Sequence, residues 1–160
     1  MRINDPRKTP FNKLLREHGV VLEWVARSRI DIDASRLLVL NAAIKMDDQG
    51  PKAALAEIAE AKVMVPTVAL QVIDRAVQSF GAMGVCQDTP LASMWAQIRT
   101  LRLADGPDEV HLQQMGRNES KRGKGVAEMI EWQKRKTEEL MGVFGVKAWQ
   151  PGTNIVRSKM

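Results

Sequence analysis

One cysteine, two histidines and no tyrosine in 160 residues close off several chemistries at once. Cys86 alone cannot form an intramolecular disulfide or a cysteine-based zinc cluster. His18 and His111 lie far apart in sequence, so no metal site is expected. A Cys–His nucleophilic pair has no local signature behind it, and Cys86 reads as a small, half-buried loop residue. Aromatic residues make up only 4% of the chain, while Ala, Leu, Val and Met are abundant. That balance favours helices over sheet. No uninterrupted apolar run is long enough to span a bilayer. The first ten residues carry Arg2, Asp5, Arg7 and Lys8 and lack the apolar centre of a secretory signal. A soluble, intracellular chain is the expectation.

What is present is helical periodicity. Val21, Val25, Ser28, Ile32, Ser35, Val39, Ala42 and Met46 recur at alternating spacings of four and three. They predict an amphipathic helix from about Phe11 to Asp47, with Glu23, Arg27, Asp31 and Asn41 on its opposite side. Gly50-Pro51 separates it from a second helix, to about Phe80, striped by Ala54, Ile58, Ala61, Val65, Val68, Val72 and Ala76. Pro66 should kink that helix. Gly81 to Thr89 reads as a loop, and Pro90 opens a shorter helix to about Leu101. A long helix from Pro107 to about Leu140 becomes polar and charged after Lys121, with Trp132, Leu140 and Phe144 as apolar anchors. Residues from Trp149 onward read as a flexible tail. The predicted architecture is all-α, an antiparallel bundle of long helices followed by a charged helix and that tail.

The net charge of +5 is concentrated late in the chain, at Lys121, Arg122, Lys124, Lys134, Arg135 and Lys136. Glu128, Glu131, Glu138 and Glu139 interleave with these cations, the pattern of a solvated helix with paired charges. No nucleic-acid partner is expected.

The richest local motif is Leu103-Ala104-Asp105-Gly106-Pro107-Asp108-Glu109-Val110-His111. Gly106 suits an N-cap and Pro107 the first helical position, with Asp108 and Glu109 complementing the helix dipole. The same geometry holds Asp105 on a tight turn, where a carboxylate can face a cleft and take a proton. Local sequence favours capping alone; the functional reading needs support from elsewhere in the chain.

That support comes from a resemblance carried by three segments in order. Arg7-Lys8-Thr9-Pro10-Phe11-Asn12-Lys13-Leu14-Leu15-Arg16-Glu17-His18 resembles the Arg-x-x-Phe-Gly-Lys-x-Leu-x-x-His stretch of the acyl-CoA dehydrogenases. Ala76 to Gly84 is similar to that family's Gln-x-x-Gly-Gly-x-Gly loop. The Asp105 motif is similar to its Tyr-Glu-Gly-Thr stretch, in a form typical of a branch acting on long or branched acyl chains. The resemblance is to the C-terminal helical domain and covers about residues 7–119, leaving 120–148 as a charged extension and 149–160 as the tail.

The resemblance implies an FAD-dependent oxidoreductase of fatty-acid β-oxidation. A carboxylate removes the α-proton of an acyl-CoA thioester while the β-hydride passes to the flavin. Asp105 matches the catalytic Glu and becomes the candidate base, with Gly106 beside the substrate. Cofactor contacts carry over to Gln78, Ser79, Phe80, Gly81 and Ala82, which match a loop along the flavin of a neighbouring subunit, and to Pro107 and Glu109. Phosphate contact falls to Arg7 or Lys8, next to Phe11; Pro10 adds one residue there, so the two are not separated.

Asn12 stands where the family has Gly, Ala82 replaces the second loop Gly, and Gly19 replaces a frequent cofactor-binding Gln. The family's N-terminal helical and middle β-domains, which build most of the pocket, have no counterpart in these residues. The chain is therefore expected to be inactive alone, and to work as a homo-oligomer or with a partner chain that supplies those domains. The alternative is a stand-alone helical interaction module that has lost the chemistry. Ser158-Lys159-Met160 resembles the Ser-Lys-Leu address, which implies an import receptor and a peroxisomal location, with mitochondria or cytoplasm as alternatives.

Overall fold

The computed structural model describes residues 2–145. The tail, the end of the 120–148 extension and the Ser158-Lys159-Met160 tripeptide lie outside the described residues. Two compact units meet between Met115 and Gly116. Among the described residues every regular element is helical: α1 (Gly19–Gln49), α2 (Leu55–Phe80), α3 (Ala82–Val85), α4 (Leu91–Thr100) and α5 (Asp108–Phe144). No described helix is long and apolar enough to cross a membrane.

In the first unit α1 packs along α2, and α2 carries α4 on another of its faces. Lys45 pairs with Glu57 at 2.5 Å, and Arg75 pairs with Asp31 at 3.1 Å. Moving back along α1 therefore moves forward along α2, so the two helices are antiparallel. Arg75 also donates to the Ser28 hydroxyl at 3.0 Å. Asp31 thus faces α2, not the solvent side assigned to it from the sequence. The periodicity shows only Asp31's place beside the stripe; its partner lies 44 residues away.

The stripe predicted for α1 splits into two rows. Val21, Ser35 and Ala42 are buried, and Ser28 is half-buried. These positions recur every seven residues and are mostly small, so α2 approaches closely along a narrow seam. Val25, Ile32, Val39 and Met46 remain 36–50% exposed. They border the seam without entering it. In α2 the buried set is Ala59, Pro66, Val68, Leu70 and Ile73, which shares only Val68 with the predicted stripe; Ile58, Ala61, Val65, Val72 and Ala76 are half-buried. Contact with both α1 and α4 buries more than one face of this helix. It runs unbroken through Pro66, which lacks the N–H that would bond the Lys62 carbonyl one turn earlier.

Helix α1 also starts later than its periodicity predicts. Phe11 and Asn12 have φ of 55° and 58°, in the left-handed region no helix can pass through. The chain enters instead by short 3₁₀ turns at Pro10–Asn12 and Leu15–Glu17. Glu17 accepts from the Leu14 N–H at 2.7 Å and fixes the second turn. Residues 51–54 form a turn before α2, and part of the predicted 81–89 loop is the single helical turn α3.

Helix α5 gives its first eight residues to the first unit and the remainder to the second. In the second unit Arg122 pairs with Glu119, Lys134 with Glu131 and Lys136 with Glu139, each three residues apart. These cations satisfy carboxylates on their own helix.

Candidate functional site: two ends of helix α2

Asp105 sits between α4 and α5 with φ of 55°, followed by Gly106 at 98°. Asp tolerates the left-handed region through its short polar side chain, and Gly adopts it without cost. A Cβ at Gly106 would also lie 3.1 Å from His111 Nε2, so the Asp-Gly pair is dictated by the turn. His111 Nε2 lies 3.4 Å from the Asp105 carbonyl oxygen.

The turn is closed from two sides. Arg102 Nε donates to Asp108 Oδ2 at 2.5 Å, and the Asp108 N–H donates to the Arg102 carbonyl at 3.2 Å. Asp108 is buried, unlike its neighbours Asp105 and Glu109, which are exposed. From α2, Lys62 Nζ donates to the Leu101 carbonyl at 2.6 Å and to the Gly106 carbonyl at 3.2 Å. Helix α5 begins at Asp108, so Pro107 stands at its cap, one position earlier than read from sequence.

The opposite end of α2 holds the second cluster. Arg2, Asp5, Arg7, Lys8, Phe80 and Met83 line a groove of about 820 Å³. Arg2 donates to the carbonyls of Ser79 and Phe80, both at 3.3 Å, and its guanidinium lies 5.7 Å from the Phe80 ring centre. A cation there satisfies terminal carbonyls and complements the helix dipole. Arg7 forks onto Asp5 at 3.0 and 3.1 Å. Hydrogen bonds from Arg7 hold the Asp5 carboxyl at about 2, below its ordinary 3.8. Gln78, Gly81 and Ala82 are exposed at this end, and Ser79 is half-buried. Phe11 is 89% exposed, edge-on to His18 with ring centres 6.2 Å apart, and it does not line the groove.

The departures from the family pattern now have a backbone explanation. Asn12 has φ of 58°, a conformation Asn adopts more readily than most residues, so it can replace Gly. Gly81 has φ of 66°. A Cβ on Gly84 would lie 2.6 Å from the Val77 carbonyl oxygen. These two glycines are retained. Ala82 has no positive φ, so its methyl replaces a glycine hydrogen without strain. Gly19 faces open space, and a Cβ there would meet no atom within 4 Å.

The predicted residues therefore fall into two groups. Arg7, Lys8 and Phe80 come together with Arg2; Asp105, Gly106, Pro107 and Glu109 gather at the other turn. Lys62 and Phe80 are 18 residues apart on α2, about 27 Å at 1.5 Å per residue.

The chain as a whole is similar to known proteins. The description "Acyl-CoA dehydrogenase, C-terminal domain" matches residues 6–119. The chain belongs to the acyl-CoA dehydrogenase family. It is 51% identical over 111 residues to acyl-CoA dehydrogenase family member 11 of Gallus gallus, covering 69% of this chain and 14% of that protein. It is 53% identical over 104 residues to family member 10 of Mus musculus, covering 65% and 10% respectively. The solved butyryl-CoA dehydrogenase of Megasphaera elsdenii superposes with a TM-score of 0.63 at 29% identity, over 69% of this chain and 28% of that one. The chain thus spans a small part of the relatives it matches.

Two residues escaped the sequence reading. Arg2 stands in a polar N-terminal stretch and Lys62 beside Ala61 of the second helix, with nothing in the sequence to mark either. Each acts through carbonyls about 40 or more residues away, and carbonyl groups leave no mark in a sequence.

Proposed function

We propose that this chain is the C-terminal domain of an FAD-dependent acyl-CoA dehydrogenase and that Asp105 takes the α-proton of an acyl-CoA thioester. The observation that carries the reading is the Asp105 turn: a carboxylate in the left-handed region, fastened at both ends to neighbouring elements, in a chain of this family. Asp105 is exposed here, and an exposed carboxylate is too weak a base for such a proton. Further walls must exclude water and groups elsewhere must polarise the thioester carbonyl.

The second cluster fits a flavin nucleotide. Arg7 and Lys8 offer positive charge for phosphate, Phe80 an aromatic face, and the loop at Gly81 close backbone approach. FAD bound there would accept the β-hydride. The chain's own residues would hold its phosphates through Arg7 or Lys8 and border its rings through Gln78, Ser79, Phe80, Gly81 and Ala82. The separation of about 27 Å along α2 supports a site to which two chains contribute. The loop of one chain completes a site whose base comes from another. Ile30, Leu37 and Ile44, each 67% exposed and seven residues apart, leave an apolar row on α1 suited to such association.

The test is Asp105→Asn in a protein carrying this domain together with the remaining family domains. Substrate α-proton exchange and flavin reduction should disappear while bound flavin stays. Wild-type turnover would contradict the assignment of the base, and a folded wild-type protein that binds no flavin would leave the helical-module reading in its place.

A further inference from the structure

We infer that Lys62 is the positioning residue for the Asp105 turn, an assignment that rests on reading Asp105 as the base. Lys62 lies in α2, outside the turn, and its ammonium bridges two carbonyls that bracket Asp105. One belongs to Leu101, where α4 runs out of intrahelical donors; the other belongs to Gly106, directly after the carboxylate. Both carbonyls have lost their regular partners. Leu101 lies at the C-terminal end of α4, and the residue four places beyond it, Asp105, has left the helix. Gly106 precedes Pro107 in a backbone that has already turned to φ of 98°. A lysine supplies three donors and a positive charge, which suits both the exposed carbonyls and the negative end of the α4 dipole.

The other contacts do not replace it. Arg102 and Asp108 close the base of the turn on themselves, and His111 reaches only the Asp105 carbonyl. None of these three residues ties the turn to α2. Lys62 alone among the described hydrogen bonds does so, and α2 is the helix whose other end carries the Arg7, Lys8 and Phe80 cluster. The base is thereby fixed to the element that sets the spacing between the two half-sites.

The full 160-residue chain provides the test through amide hydrogen exchange. Lys62→Met keeps the aliphatic length and removes every donor; Lys62→Arg keeps charge and donors. In Lys62→Met the amides of Leu103, Ala104 and Asp108 should exchange about tenfold faster, with those of Ala42 and Val68 unchanged. Lys62→Arg should recover most of that protection, which a purely space-filling role would not produce. Unchanged exchange at the turn in Lys62→Met would overturn the proposal. So would an equal rise across α1 and α2, or equal behaviour of the Met and Arg variants. Exchange does not depend on Asp105 performing chemistry. Failure of the base assignment under Asp105→Asn and failure of the Lys62 anchor are therefore separate results.

Discussion

The two ends of α2 solve the same problem with different means. At the C-terminal end, loose carbonyls of Ser79 and Phe80 are taken by Arg2 from the extreme N-terminus, and the loop beyond is shaped by Gly81 and Gly84. Near the N-terminal end, Lys62 reaches outward from α2 to fasten a turn that belongs to α4 and α5. One end receives a cation and the other supplies one. The end proposed for the cofactor relies on the backbone of Gly81 and Gly84 and on Arg7 and Lys8, which stay open to solvent. The end proposed to carry the base relies on a buried Asp108 paired with a half-buried Arg102, and on a tethered carboxylate. Function at the first should tolerate single surface changes, while the second should fail sharply.

The largest contrast is catalytic. Asp105→Asn should lower turnover of a domain-complete protein by roughly 10²- to 10⁴-fold, the range for losing a general base. Replacing Arg7 or Lys8 by Ala should instead raise the flavin concentration needed for half-saturation and leave turnover at saturating flavin close to wild type. Equal losses from both ends would erase the distinction.

Next comes stability. Asp108→Ala strands Arg102 beside a buried position and should cost about 2–4 kcal/mol, read from the denaturant midpoint with an unchanged slope. At the cofactor end, Gly84→Ala drives a methyl against the Val77 backbone and should cost about 1–3 kcal/mol. A neutral result for Gly84→Ala would mean that α3 moves freely against α2.

The smallest effect is pH-dependent. The Lys45 hydrogen bond holds the Glu57 carboxyl below its ordinary 4.5. A depressed carboxyl contributes stability above that ordinary value and loses it as pH falls through the lowered folded value. Glu57→Gln should therefore flatten the acid side of the stability curve below pH 4.5 and leave the base end untouched. An unchanged acid slope would show that the Lys45–Glu57 contact does not persist in solution.

Periodicity carried the number and approximate extent of the long helices because it records which face is covered. It could not show how tightly. Val25, Ile32 and Val39 belong to the same stripe as Val21 and Ser35, yet small seam residues leave them at its exposed edge. The start of α1 is hidden by Phe11 and Asn12: Asn takes a left-handed backbone readily, but nothing in the identity of Phe11 announces its φ of 55°. The Asp-Gly turn was readable because Gly106 permits a left-handed backbone and Pro107 fixes φ at the start of the next helix. The anchors Arg2, Lys62 and Arg75 were not, since each finds its partners in distant segments.

The most direct measurement mixes two disabled versions of the domain-complete protein, one carrying Asp105→Asn and the other Arg7→Ala with Lys8→Ala, at flavin too dilute for the second to work alone. If each active site takes its base from one chain and its cofactor loop from another, random pairing restores about one quarter of the wild-type activity. No recovery, with mixed oligomers shown to form, would place both clusters in one chain's site and contradict the account.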